Sequence, residues 1–371
     1  MMERRQIVAL AAQSQDSVLI TLTHAEGSTY RQPGARLLTA TDLSTYAGSI
    51  SGGCLEASIV KKASWMTRAG AVTERYAMTF DDTSEIPFGL GCGGIVDVLF
   101  EPVQAPEGQA LVAAFAASLS GTESVVISFL PGEGRPLRRL IFAASGEIIF
   151  ASPQLSDEKI TCARALTPGK PYSGRIVERL LPPQRLVILG AGDDAIPVSR
   201  VASILGWTVH IADGRAPLAR AERFPLAEQV IALTEGHDVS SLRIAPQDAV
   251  ILMTHSFEQD RDLLVKSLQA APRYLGLLGA RHRSSLLISE AAALLERSVD
   301  ECCASVFAPV GMDLGGDGPE SIALSIVAEI QAVLHGRLGT SRRLTPSEIA
   351  SHLERGGSSR YLRAHCALDN A

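Results

Sequence analysis

The chain has 371 residues, 46% of them hydrophobic and 20% charged, with a formal net charge of −6. That balance fits a globular protein long enough for two cores, and the negative charge speaks against general binding to nucleic acid or to a membrane surface. No apolar run reaches transmembrane length, and the apolar core of the opening segment MMERRQIVALAAQSQ is too short for a signal peptide, so an amphipathic first helix and a cytoplasmic protein are expected. The cysteines Cys54, Cys92, Cys162, Cys302, Cys303 and Cys366 show no zinc-binding spacing and read as free thiols in a reducing compartment.

After the first helix, residues 17–23 (SVLITLT) predict a strand. A polar segment follows from Gly27 to Gly34, in which Arg31 beside Ser28 and Thr29 could hold an anion; from this piece alone a solvated turn is the plainer reading. Residues 35–40 predict another strand. Next comes GSISGGCLE, residues 48–56, and then a helical pattern with Leu55, Ile59, Ala63 and Met66 on one face and Gly70 as its stop. Cys54 thus falls in or just before a first helical turn, where free N–H groups favour an anion and stabilise a thiolate. Ser51, Gly52 and Gly53 would let the backbone fold into a phosphate-binding nest. A strand is expected within residues 70–80. A second glycine loop, Gly89 to Gly94 around Cys92, then feeds a strand over 95–100. If the two loops meet, they form a pocket with two thiols. A helix over 109–119 and strands over 125–130 and 140–150 follow, with GEG and SGE turns, up to the boundary Leu180-Leu181-Pro182-Pro183.

Residues 186–189 read as a buried strand that enters Gly190-Ala191-Gly192, a helix stopped by Gly206, and a second strand ending on Asp213. This is the order of a dinucleotide fingerprint. Gly190 permits the tight turn, Gly192 leaves room for a pyrophosphate, Ala195 stands for the third glycine, and Asp213 is placed to accept bonds from a ribose. Further strands are expected over 229–233, 249–254, 274–278 and 305–310, with helices over 258–271 and 283–296 among them. That rhythm predicts a doubly wound parallel sheet, with His255, Gly276, Gly279 and Arg281 near the edge where ligands bind. Pro319 opens a helix carrying Ile322, Ile326, Ile330 and Val333 on one face, and Gly336 ends it. The expected fold is α/β: an N-terminal mixed α+β domain over 1–183, a Rossmann-like parallel-sheet domain over 184–337, and a charged, partly mobile tail over 338–371 with one helical piece, SEIASHLER.

These segments together resemble the xanthine dehydrogenase accessory factor family, the XdhC/CoxI family. The N-terminal half carries GSTYRQPGARLL, GSISGGCLE and GLGCGGIVDVLFEP; the C-terminal half carries LVILGAGDDA, LGWTVHIADGR, YLGLLGARHR and PVGMDLGGDGPESIALSIVAEI. The resemblance covers residues 5–337. It implies a non-catalytic chaperone that binds the molybdenum cofactor, as molybdopterin or its cytosine dinucleotide form, supports its sulfuration and inserts it into a xanthine, aldehyde or carbon monoxide dehydrogenase. It further implies a homodimer and a cysteine desulfurase as partner. Carried over residue by residue, Cys54 and Cys92 become candidate molybdenum contacts, and Ser28, Arg31, Gly52, Gly53, Glu56, Gly93 and Gly94 the surrounding cofactor site. Gly190, Gly192, Asp213 and His255 form the candidate nucleotide site, for NAD(P) or another nucleotide. The chain departs from the family pattern in three places. Tyr30 replaces a proline common in that loop, Gly91 stands where some members carry a second cysteine, and Gly316-Asp317-Gly318 replaces a segment usually containing arginine and threonine. The competing expectation is an NAD(P)-dependent oxidoreductase built on the Rossmann segment; no convincing acid–base pair emerges from the residues to support it.

Overall fold

The computed structural model describes residues 1–14, 16–27, 29–40, 45–77, 94–233 and 239–339, with Ser347 and Ser351. Helix α1 (Met2–Gln13) leads into β1 (Ser17–Glu26), β2 (Arg36–Ala40), β3 (Tyr46–Gly48), helix α2 (Glu56–Met66), β4 (Val72–Ala77) and β5 (Ile95–Pro102). The five strands form one antiparallel sheet in the order β3-β2-β1-β5-β4. Its centre, β1, is buried on both faces because successive side chains alternate. Val18, Ile20 and Leu22 pack with Ile59 and Ala63 of α2, whereas Leu19 meets Ile7 of α1 on the other side.

Helix α3 (Pro106–Leu119) and a second antiparallel sheet cover that other side. The sheet contains β6 (Ser124–Phe129), β7 (Arg138–Ala143) and β8 (Ile148–Ala151); after helix α4 (Asp157–Arg164) the chain returns as β9 (Arg175–Leu180), giving the order β8-β7-β6-β9. The strand expected over 140–150 is a hairpin, reversed at Gly146, whose φ of +88° suits glycine. The first and second sheets are joined through a charged pair in the core. Arg139 of β7 and Glu101 of β5 are each 1% exposed, with guanidinium-to-carboxylate bonds of 2.8 and 3.1 Å. Arg139 also donates to the Ser128 hydroxyl at 3.1 Å and to the Glu107 carbonyl of α3.

The remaining strands, β10 (Arg185–Leu189), β11 (Thr208–Asp213), β12 (Gln229–Ala232), β13 (Ala249–Leu252) and β14 (Tyr274–Leu277), are all parallel in the order β12-β11-β10-β13-β14. Helices α5 (Ala195–Ile204), α6 (Phe257–Ala270), α7 (Arg281–Leu294), α8 (Val299–Ala304) and α9 (Pro319–Leu334) accompany them. Alternation again divides the core. Leu186, Ile188 and Ile251 face α5 and α9, while Val187, Leu189 and Val250 face α6 and α7. This is the expected doubly wound parallel sheet. The strand expected over 305–310 is reduced to one parallel bridge, Gly276 to Phe307, with two bonds of 2.8 and 2.9 Å. Pro309 has no N–H with which to extend the ladder. Among the described residues no helix is long and apolar enough to cross a membrane. Apart from Ser347 and Ser351, the expected helical piece in the tail lies outside the described residues.

Candidate functional site

The loop between β3 and α2 does fold its backbone into a nest, but the anion in it belongs to the chain. Glu56, the first residue of α2, is 3% exposed and turns its carboxylate back into the loop. The N–H groups of Ile50, Ser51, Gly53 and Leu55 donate to it at 3.1, 2.9, 2.9 and 3.2 Å. The Ser49 hydroxyl adds a bond of 2.8 Å, and the Ser51 hydroxyl another. Burial alone would raise the Glu56 carboxyl, but the bonds from Ser51 and Ser49 outweigh it and bring its pKa down to about 2. The donors expected for a phosphate at Ser51, Gly52 and Gly53 are therefore largely spent on Glu56, which braces the loop.

The bracing fixes Cys54. Its free thiol is partly buried two residues before α2, in a small pocket of about 10 Å³ that it shares with Thr29, Tyr30, Arg31 and Ser51. The polar segment around Arg31 and the Cys54 loop thus meet. Gly52 has φ +77°, and a Cβ there would lie 2.8 Å from the Tyr30 ring, so the glycine is what lets Tyr30 lie over the loop. Arg31 is not a free cation. It makes a bidentate pair with Glu3 of α1 at 2.8 and 2.7 Å, which raises its pKa further. In this structure the charge of Arg31 is engaged by Glu3 and ties the loop to α1. Gly94 is buried just ahead of β5. Ser28, Cys92 and Gly93 lie outside the described residues.

The glycine turn after β10 is tight for a clear reason. Gly190 has φ +128°, and a Cβ on it would sit 2.3 Å from the Met253 carbonyl oxygen, a backbone atom that cannot swing aside. Gly192 is different. The space above it is taken by the Asp194 carboxylate, whose Oδ1 lies 2.5 Å from a built Cβ. Asp194 Oδ2 is 2.8 Å from Nε2 of His255, an exposed residue just after β13 whose φ is +64°. Asp193 binds Arg223 at 2.6 Å. Two carboxylates therefore stand at the start of α5, where a pyrophosphate would need to approach, and they already complement the positive helix end.

Asp213 also differs from the expectation of a ribose contact. It is fully buried, and its oxygens accept from the Ala191 N–H at 2.7 Å, the Arg215 N–H at 2.8 Å and the Arg215 guanidinium at 2.9 and 2.7 Å. A carboxylate offers about four acceptor directions, and all are in use. Burial would raise its pKa, but the bonds from Arg215 and the backbone win and lower it. The Asp-Gly-Arg spacing is the signal for this pair, since a side chain two residues on can fold back to the strand end. The Asp194–His255 pair had no local signal, because its partners are far apart in the chain.

Two family descriptions match this chain: the XdhC and CoxI family over residues 10–77, and the XdhC Rossmann domain over residues 186–330. The chain belongs to the XdhC/CoxI family. This family member is 27% identical, over 87% of its length and 94% of the relative's, to a protein of Bacillus subtilis (strain 168) named as a probable subunit of xanthine dehydrogenase. It is 25% identical to the Escherichia coli (strain K12) molybdenum cofactor insertion chaperone PaoD, over 85% of this chain and 83% of PaoD. It also resembles the crystal structure of a xanthine dehydrogenase from Bacillus halodurans, with a TM-score of 0.78, 28% identity and coverage of 94% of this chain and 99% of that one.

Proposed function

We propose that this XdhC/CoxI family member is a cytoplasmic accessory factor that binds the molybdenum cofactor, shelters it during sulfuration and hands it to a dehydrogenase of the xanthine, aldehyde or carbon monoxide type. The observation that carries this reading is the Cys54 thiol, half-buried at the edge of a water-sized pocket rather than within a cofactor-sized one, and held at the mouth of α2 by the Glu56 nest. Among the described residues no cluster of three or more metal-binding side chains exists, so those residues form no cage for a bare ion. A metal carried by an organic cofactor needs only one further ligand, and a soft thiolate suits a sulfur-ligated metal. When bound, the cofactor would supply the metal and its exchangeable terminal ligand. The chain's own part is to position and shield. Cys54, with Cys92 as a second thiol, would touch the metal; Ser28, Gly52, Gly53, Gly93 and Gly94 would allow close backbone approach; Glu56 and Arg31 would hold the loops in shape. A cysteine desulfurase as sulfur donor and a homodimeric assembly belong to the same proposal.

Protein purified anaerobically from cells that make the cofactor is expected to carry near-stoichiometric pterin and molybdenum. The Cys54→Ala variant, folded normally, is expected to retain at least about tenfold less, since even indirect supports of a metal site are worth that much. Equal retention by the variant would remove Cys54 from the site.

The parallel sheet is assigned no nicotinamide role in this proposal. Asp193 and Asp194 present like charge to a pyrophosphate, and Asp213 has no acceptor left for a ribose. Equilibrium dialysis with NAD⁺ is expected to show no saturable binding up to about 1 mM, an affinity too weak for a resident cofactor. Micromolar binding would restore the oxidoreductase reading.

A further inference from the structure

Loop 29–33 has two sides. Thr29, Tyr30 and Arg31 line the Cys54 pocket, and the next residues, Gln32 and Pro33, line a second and far larger cavity of about 750 Å³. The far wall of that cavity is the segment from Thr167 to Tyr172 and the start of β9. A cavity of this size accommodates a ligand of nucleotide dimensions. Its wall is tied down. The Thr167 N–H donates to the Tyr172 hydroxyl at 2.9 Å, and the Gly169 N–H to the Val177 carbonyl at 3.0 Å.

The charges around it are unequal. Glu178 in the floor is neutralised by Arg36, and Arg179 at the rim by Glu123. His24 lies 2.9 Å from Glu26. Lys170 and Arg175 remain: among the described residues neither is in an ion pair, and the Arg175 guanidinium rests 5.7 Å from the centre of the Phe129 ring. Two cations without a carboxylate partner, brought to one tied-down and partly apolar cavity wall, suit a polyanion.

We infer that this cavity receives the phosphoryl-bearing end of the cofactor, with Lys170 and Arg175 as its charge partners, while the metal-bearing end lies across loop 29–33 at Cys54. The inference rests on the function proposed above and assigns a second half to its site. A terminal phosphate and a diphosphate linking a nucleotide present the same chemistry to these two cations.

Calorimetric titration of the full chain with inorganic phosphate, pyrophosphate and cytidine 5′-diphosphate tests it, beside the variants K170A/R175A and K170R/R175K. Pyrophosphate or the nucleotide is expected to bind saturably. K170A/R175A is expected to weaken that binding at least about tenfold, and K170R/R175K to keep it within about threefold. Tighter binding of the nucleotide than of pyrophosphate would identify the nucleotide-linked end; equal binding would identify the phosphoryl group alone. Both side chains are exposed, so an unchanged unfolding midpoint checks that the variants are folded. Absence of saturable binding for all three probes, or equal binding by K170A/R175A, overturns the inference. The two proposals fail separately. Probes bound as expected with no pterin in the purified protein would leave the anion site standing and sink the accessory-factor reading. Pterin retained with no probe binding would do the reverse.

Discussion

Replacing Arg139 with methionine is expected to lower the unfolding free energy by about 3–5 kcal/mol, because it leaves the Glu101 carboxylate buried without its counter-charge. The loss extends past one ion pair. Arg139 also satisfies the Ser128 hydroxyl and the Glu107 carbonyl, so one side chain bonds to β5, β6 and α3 together. The double variant, Arg139→Met with Glu101→Met, is expected to recover at least half of the deficit, since replacing a whole buried pair by apolar groups is often close to neutral. Urea midpoints of the wild type, both single variants and the double variant form a cycle that measures this. Additive losses in the cycle would show that the pair is not coupled.

The second large effect belongs to Glu56. Its carboxyl has a pKa of about 2 in the folded chain against an ordinary value of 4.5. A carboxyl depressed on folding stabilises the fold fully above its unfolded pKa, and the contribution is lost as pH falls through the folded one. The window is therefore between about pH 5 and pH 2, and the amount is about 3 kcal/mol. Glu56→Gln is expected to lose a similar amount at neutral pH and to show correspondingly less loss of stability on acidification. Glu56→Ala leaves the N–H groups of Ile50, Ser51 and Gly53 and the hydroxyls of Ser49 and Ser51 without their acceptor, while the Leu55 N–H keeps its 2.8 Å bond to the Ser51 hydroxyl. Added acetate or phosphate is expected to raise the melting temperature of Glu56→Ala by several degrees more than that of the wild type. If neither pH nor added anion separates the variants from the wild type, the nest is not held by Glu56.

Much of the fold was legible because it rests on unbroken apolar runs. SVLITLT and LVIL are buried on both faces, and the alternation of strands and helices after Gly190 leads directly to the parallel sheet. Short elements were not. RIVERL, the strand β9, is only six residues long and pairs with β6 from far along the chain, and β3 has three residues. The loop at residues 51–53 was visible as a nest, but glycines show only that a backbone can curl, not which anion it curls around. Glu56 competes for that role from three residues beyond Gly53, where it is already in place before any ligand arrives. The large cavity had no sequence signature at all. Its two walls come from residues near 30 and near 170, and only the packing of the second sheet against the first brings them together.

The order of the parallel sheet also has a consequence for how the chain is made. The first strand of that sheet to leave the ribosome, β10, is the central one, and α9, which covers one face of it, is the last of its elements to be synthesised. Until Leu334 has emerged, Leu186, Ile188 and Ile251 lack part of their cover, so the nascent chain exposes apolar surface for most of the synthesis of this half. Translation speed and chaperone supply therefore bear more heavily on the yield of this protein than on that of one whose sheet is built from an edge inward.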